Sequence, residues 1–300
     1  MSLTDNLTEK KSTLLLCMAS IMWSGSFVAM AVGLRSMSAT TMVFFRMAFS
    51  ALIFFFPMLP KLKTVTLKSV LRGAILGFLY FVGFLSQTVG LLMTTSSKAS
   101  FITSLNIIFV PFVYWILNKK RPPVKSFISV AICVVGLFLL TRDLGTEGGP
   151  LIGGGDLLMI LAAFSFAWHL CSLGVFTKKE DPSVLMFFMY LTTSVFTFAY
   201  MMIFDGGFRI TPDTTAVLSL IYCVIFSTAI PAFLQAVSQK KIRSDIASLI
   251  LASESVLGCF FAAVFLGERM TLLMYIGSAI ILFGILLSQL RFGKKEPQEA

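Results

Sequence analysis

The sequence predicts an all-α membrane protein of ten transmembrane helices arranged as two inverted five-helix repeats. Three observations predict it. The chain is filled by apolar runs of membrane-spanning length, its basic residues crowd alternate loops, and its two halves repeat one another with an odd number of spans each.

The runs are Ser12–Leu34, Ala39–Leu59, Val70–Leu92, Ala99–Leu117, Val124–Leu140, Gly155–Val175, Val184–Phe204, Ala216–Ala236, Ile246–Leu266 and Leu272–Leu290. A bilayer core of about 30 Å needs roughly 20 apolar residues per helix, and each run is of that order. The composition agrees, with 57% hydrophobic and 13% charged residues and a mean hydropathy of +0.91. A soluble domain carries about 25% charged residues.

The net charge of +10 is explained by placement. Eighteen of the 24 Lys and Arg lie in one set of alternating loops, including Lys61, Lys63, Lys119, Lys120, Arg121, Lys240 and Lys241. The opposite loops hold five: Arg35, Lys98, Arg142, Arg209 and Arg269. Cytoplasmic loops are enriched in Lys and Arg. The expected location is therefore the cytoplasmic (inner) membrane, multi-pass, with both termini in the cytoplasm. A nucleic-acid partner is not expected. Lys10 and Lys11 before an apolar run that ends near Ala29-Met30-Ala31 imitate a signal peptide, but the run is too long for an h-region. Cys17, Cys133, Cys171, Cys223 and Cys259 all lie inside apolar spans without metal-ligand spacing, so they read as packing residues.

A shift of 148 residues brings Gln87 onto Gln235, Ser96 onto Ser244, Ala99 onto Ala247, Ser100 onto Ser248, Phe112 onto Phe260, Ala131 onto Ala279 and Gly136 onto Gly284. Near the start of each half the shift is 145, with Ser20 on Ser165 and Trp23 on Trp168. Five spans per half insert the second half upside down, the plan of secondary transporters whose site lies at the repeat interface near the midplane. The expected organisation is residues 12–141 as the first repeat, a Gly-rich linker 142–154, residues 155–290 as the second repeat and a cytoplasmic tail 291–300. The linker is read either as a hinge or as a plain surface loop.

Several stretches resemble one family. Ser97-Lys98-Ala99-Ser100-Phe101-Ile102-Thr103-Ser104-Leu105, running on to Val110-Pro111-Phe112, looks like the fourth span of EamA-like members of the drug/metabolite transporter superfamily. Ala247-Ser248-Leu249-Ile250-Leu251 with Glu254, then Phe265-Leu266-Gly267-Glu268-Arg269, is similar to the ninth. Trp23-Ser24-Gly25-Ser26-Phe27 resembles the first and Phe45-Arg46 the second. Two departures stand out. Glu254 is followed by Ser255 where the family often has Pro, and Lys119-Lys120-Arg121 stands opposite the Gly-Glu-Arg ending. The resemblance implies transport and leaves the cargo open.

Ionisable side chains at membrane depth are costly and mark candidate sites. Glu254 lies about 12 Å into its span, near the midplane, at 1.5 Å per residue. Flanked by Ser253 and Ser255, it reads as a binder of a cationic group, a proton-exchanging acid or a structural carboxyl. His169, the only histidine, is a proton-coupling candidate or a packing residue. Arg46 lines the site and meets a substrate carboxylate, or else makes an interhelical or headgroup contact, snorkelling to the outer face or pairing with an acidic side chain. Gln87 and Gln235 correspond under the repeat, as do Asn106 and Glu254. Together these four suit a small zwitterionic or polar solute, or else bond helices to one another. Trp23, Trp168 and Tyr80 are candidate aromatic walls. Pro111 and Pro231 are candidate hinges or static kinks.

The expected function is a secondary transporter of a small polar, amino-acid-like metabolite, an exporter by the resemblance. A multidrug or organic-cation exporter of the same fold is the alternative, and a channel or membrane scaffold is the rival of another class. Its partners are a small-molecule substrate and membrane lipid, with proton coupling and the choice between monomer and homodimer left open. No cofactor and no metal are expected. A primary pump is not expected, because there is no GxxxxGK[ST] loop, and neither is an enzyme: Gly153-Gly154-Gly155-Asp156 lacks the Tyr-Asp an aspartyl protease of that pattern requires, and one His cannot make HExxH.

Overall fold

A computed structural model describes residues 7–94, 99, 102–142, 153–211, 213–266 and 270–289. Most of the expected linker, the tail, and the stretches Ser97–Lys98, Ser100–Phe101 and Gly267–Arg269 lie outside the described residues. The rest is helical: α1 Glu9–Ser24, α2 Ser26–Gly33, α3 Ala39–Met58, α4 Leu67–Leu91, α5 Asn106–Asn118, α6 Val124–Arg142, α7 Gly154–Phe176, α8 Pro182–Tyr200, α9 Thr214–Val224, α10 Ile230–Ser238, α11 Ser244–Leu251, α12 Ser253–Leu266 and α13 Leu272–Gln289. Among the described residues seven helical stretches are long and apolar enough to cross a membrane: 9–33, 39–64, 67–91, 154–176, 182–205, 214–238 and 244–265. Three shorter apolar stretches, Ile102–Asn118, Val124–Leu139 and Leu272–Ser288, occupy the places of the expected fourth, fifth and tenth spans. The protein is thus a multi-pass helical membrane protein. Its exterior carries large apolar side chains such as Phe56, Ile203 and Phe283, as a lipid-facing surface requires.

Helix starts follow the local sequence. Thr8, Ser38, Thr66, Asp181 and Asp213 each accept a hydrogen bond from a backbone N–H of the first turn they precede. Between α9 and α10 the chain widens into a π turn, Ile225–Ala229, just ahead of Pro231. A proline ring crowds the carbonyl four residues back and supplies it no N–H, so the turn before it opens.

Most close packing joins the two halves of the chain. The helix α4 lies on α7 and α8, α3 on α8, α1 on α10, α2 on α9, and α6 on α13. The last pair shows a reciprocal pattern. A Cβ added at Gly136 would lie 2.7 Å from the Gly277 carbonyl oxygen and 2.8 Å from Ile281. One added at Gly284 would lie 2.6 Å from Cys133 and 3.2 Å from the Ser129 carbonyl oxygen. Moved by 148 residues, the first set of contacts becomes the second with its partners exchanged. Two antiparallel backbones approach here because neither carries a side chain.

The ends of the bundle are tied differently. At the end bearing the basic loops, Lys61 Nζ donates to Asp181 at 2.6 Å and Arg72 pairs with Glu180, which also accepts from Ser69 at 2.7 Å. At the other end the ties are mostly backbone. Met37 and Ile210 form an antiparallel bridge, Thr211 N donates to Ser36 O at 2.6 Å and Ser38 N to Arg209 O at 2.9 Å. Thr40 adds a hydroxyl bond to Asp205 at 2.5 Å, and Ser36 one to Asp213.

Candidate functional site

Four interruptions of helical structure meet inside the bundle. The first is the bend at Gly25 between α1 and α2, where a Cβ would fall 2.2 Å from the Tyr222 hydroxyl. The second is the π turn before Pro231. The other two are single-residue breaks at Leu105 and Ala252, which stand at nearly matching positions of the two halves. Asn106 opens α5 after one break, and Glu254 lies in the first turn of α12 after the other. Beside them lies a cavity lined by residues of both halves.

Six of the eight expected site residues line it: Trp23, Gln87, Asn106, His169, Gln235 and Glu254. Tyr80, Phe84 and Phe166 complete an aromatic wall, and Thr103, Ser104 and Ser227 add hydroxyls. Phe84 and Gln87 follow Tyr80 by four and seven residues on α4, so a helical-face count from Tyr80 finds Phe84. Phe166 lies three residues before His169 and is found the same way.

Their bonding divides them. The Gln87 amide donates to Thr103 Oγ1 at 3.3 Å. His169 contacts Met189 Sδ at 3.2 Å and packs its ring 4.5 Å from that of Tyr80, buried to 2% exposure. Trp23 donates its indole N–H to the Ser227 carbonyl at 3.0 Å. In an α-helix that carbonyl takes its donor from residue 231, which here is Pro, so the indole supplies what the proline lacks. By contrast Asn106, Gln235 and Glu254 receive no side-chain hydrogen bond or ion pair from the described residues, and all three line the cavity. Gln235 is buried, whereas Asn106 and Glu254 are partly exposed, so their polar groups are open to a solute or water.

Ser253 and Ser255 have another task than flanking a binding group. Ser253 donates to Ile250 O at 2.7 Å, Ser255 to Ala252 O at 2.7 Å, and Ser20 to Leu251 O at 3.4 Å. These hydroxyls add bonds to the carbonyls around the break, where Ala252 O also accepts from Ser255 N at 3.3 Å.

Two expected residues stand away from the cavity lining. Trp168 is half-buried in the cluster of Leu16, Val110, Leu170 and Ile250, with Phe164 against it at 6.4 Å. Arg46 neither snorkels nor finds an acid. It is 1% exposed and donates from Nε to Thr228 Oγ1 at 3.1 Å, from its terminal nitrogens to Ser227 Oγ at 2.9 Å and Thr228 Oγ1 at 3.0 Å, and toward Met30 Sδ at 2.9 Å. Its guanidinium carbon sits 4.7 Å from the centre of the Phe84 ring. Among the described residues no group of three or more His, Cys, Asp or Glu is placed to hold a metal.

Interrupted helices around a mixed polar and aromatic cavity, inside a bundle of apolar helices, define a membrane transport protein. The chain belongs to the EamA-like transporter family, whose model matches residues 10–142 and again 153–290. An uncharacterized transporter of Archaeoglobus fulgidus is 28% identical over 276 residues, 92% of this chain and 85% of that one. A probable amino-acid metabolite efflux pump of Escherichia coli is 23% identical over 291 residues, 93% of this chain and 95% of the pump. One protein of known crystal structure superposes with a TM-score of 0.75 at 16% identity, over 94% of this chain and 97% of its own length, a likeness of fold.

Proposed function

We propose that the protein is a secondary transporter that exports a small, polar, amino-acid-like metabolite across the cytoplasmic membrane by alternating access. In this reading all ten apolar stretches cross the bilayer and both termini face the cytoplasm. Residues 12–141 and 155–290 are inverted repeats joined by linker 142–154, with 291–300 as the tail. The reciprocal contacts of Gly136 and Gly284 support the inversion, because an axis perpendicular to two antiparallel helices exchanges partners in that way. The two-part family match has nearly the same boundaries.

The observation that carries the reading is the trio Asn106, Gln235 and Glu254, polar, unpartnered by described side chains and lining one cavity, with Asn106 and Glu254 at the two helix breaks. Two amides and a carboxylate offer donors, acceptors and one negative charge to a solute. The export direction follows the name of the Escherichia coli relative. An organic cation is the second cargo, favoured by Tyr80, Phe84, Phe166 and Trp23 around a single acid.

Counterflow of radiolabelled amino acids and organic cations in proteoliposomes tests this, with Glu254→Gln beside wild type. The variant keeps shape and hydrogen bonding but removes charge and titration. Loss of pH-dependent flux with retained exchange marks a proton carrier. An affinity loss at every pH marks a cation binder. Wild-type flux with wild-type pH dependence in folded Glu254→Gln sinks the site assignment.

A further inference from the structure

Arg46 is the one cationic side chain lying well inside an apolar run. It comes seven residues after the start of α3, about 10 Å along the axis, which is deep in the bilayer. A charge there costs several kcal/mol unless it is compensated. Its bonded partners are two hydroxyls and a thioether, all neutral, and no carboxylate among the described residues lies within ion-pairing distance. A thioether is a weak acceptor, so the nitrogen directed at Met30 is the least well served. Pinning the π turn through Ser227 and Thr228 needs donors but no charge.

Two groups that Arg46 touches, the Phe84 ring and Ser227, are themselves walls of the cavity. The guanidinium therefore touches two residues of the cavity wall without lining the cavity itself. Glu254, which lines the same cavity, likewise has no ion pair among the described residues. The cavity region thus holds one basic and one acidic side chain, each without an ion-pair partner among the described residues.

We infer that Arg46 is the anion-reading half of the site, uncovered when Phe84 turns aside, and that the substrate carries an amine for Glu254 and an acidic group for Arg46. The inference rests on the cavity being the transport site. A zwitterion compensates both buried charges at once. A simple cation leaves Arg46 uncompensated, and a simple acid leaves Glu254 so. This separates the two cargoes left standing above. It also assigns Phe84 a role the aromatic wall alone does not: a cover held on the guanidinium by a cation–π contact.

The test uses purified full-length protein and two probe triplets. One is L-phenylalanine, phenethylamine and 3-phenylpropionate; the other is L-alanine, ethylamine and propionate. Binding is read by thermal shift and calorimetry. In wild type one of the two amino acids should bind at least about tenfold tighter than its matching amine, the size of one charge-assisted hydrogen bond. Arg46→Gln should bring the amino acid down to the level of the amine and leave the amine unchanged within about twofold, and Arg46→Lys should restore part of the difference. Should Arg46→Gln fail to fold, Phe84→Ala keeps the guanidinium and removes its cover; it should raise the affinity of the acid-only probe several-fold. Equal losses for amine and amino acid in Arg46→Gln, no wild-type preference for the amino acid over the amine, or unchanged acid binding in Phe84→Ala each overturn the inference while the transport site stands. Failure of all six probes to bind wild type removes the transport-site reading, and this inference with it.

Discussion

Replacing Gly136 with Ala should weaken the α6–α13 contact more than replacing Gly284. The added carbon at 136 meets the Gly277 carbonyl oxygen at 2.7 Å and the Ile281 backbone nitrogen at 2.9 Å. Neither can rotate away, and non-bonded carbon prefers about 3.5–4.0 Å to its neighbours. The helices must therefore part locally by roughly 1 Å. Overpacking of this kind costs about 1–3 kcal/mol, offset by up to about 1 kcal/mol from the better helix propensity of Ala. At 284 the nearest atom is a cysteine sulfur, which can turn, and the nearest backbone atom is 3.2 Å away. We expect a net loss of about 1–2 kcal/mol for Gly136→Ala and less for Gly284→Ala. The double variant should cost less than the sum, because one separation relieves both contacts. Thermal unfolding in detergent micelles, followed by the near-ultraviolet signal, measures all three. Unchanged unfolding temperatures, or a double variant with the full sum, would refute the close approach of these backbones.

Trp23→Phe leaves the Ser227 carbonyl without its donor and should cost about 1–3 kcal/mol; adding Pro231→Ala, which restores an N–H to residue 231, should recover part of it in a double-mutant cycle. Asp181 is exposed enough to titrate. Its partial burial acts to raise its pKa, but Lys61 and the Ser183 N–H outweigh this and hold the carboxyl below its ordinary value. Its contribution to stability is therefore full above the unfolded carboxyl pKa of about 4 and fades as pH falls through the lower folded value. Lys61→Met should remove this acid-labile part, worth under about 1 kcal/mol for so exposed a pair, and an unfolding series below pH 5 that is identical for both proteins would count against the pair. Cysteines introduced near Arg35 should react with an impermeant reagent applied to intact cells and those near Lys63 should not; the reverse pattern would invert the topology.

Much of the site was legible because polar residues are rare in apolar spans. Gln87, Asn106, His169, Gln235 and Glu254 stand out for that reason alone, and all line the cavity. What the repeat could not give is side-chain direction. Trp168 matches Trp23 in register and both pack on the cluster around Leu16 and Leu170, yet only Trp23 also lines the cavity. Register fixes a backbone position, while the facing of a side chain depends on local bends, and the first half bends at Gly25 between α1 and α2. The breaks at Leu105 and Ala252 carry no Pro or Gly to announce them; the hydroxyls of Ser20, Ser253 and Ser255 make the second one tolerable. Arg46 was legible as an anomaly only. Its partners Ser227 and Thr228 lie more than 180 residues away, and no local pattern connects them.

The unlike ties at the two ends of the bundle bear on energy balance. Two halves identical in sequence, related by inversion, would make the conformer open to one side equal in free energy to the conformer open to the other. Any preference must come from where the halves differ. One end is tied by Lys61–Asp181 and Arg72–Glu180, the other by a β-bridge and neutral hydroxyl donors. Salt screens charges over about 8–10 Å at ordinary ionic strength. It should therefore loosen the ion-paired end and leave the backbone-paired end almost as it was, so that under the proposed alternating access ionic strength would shift the balance between the two conformers.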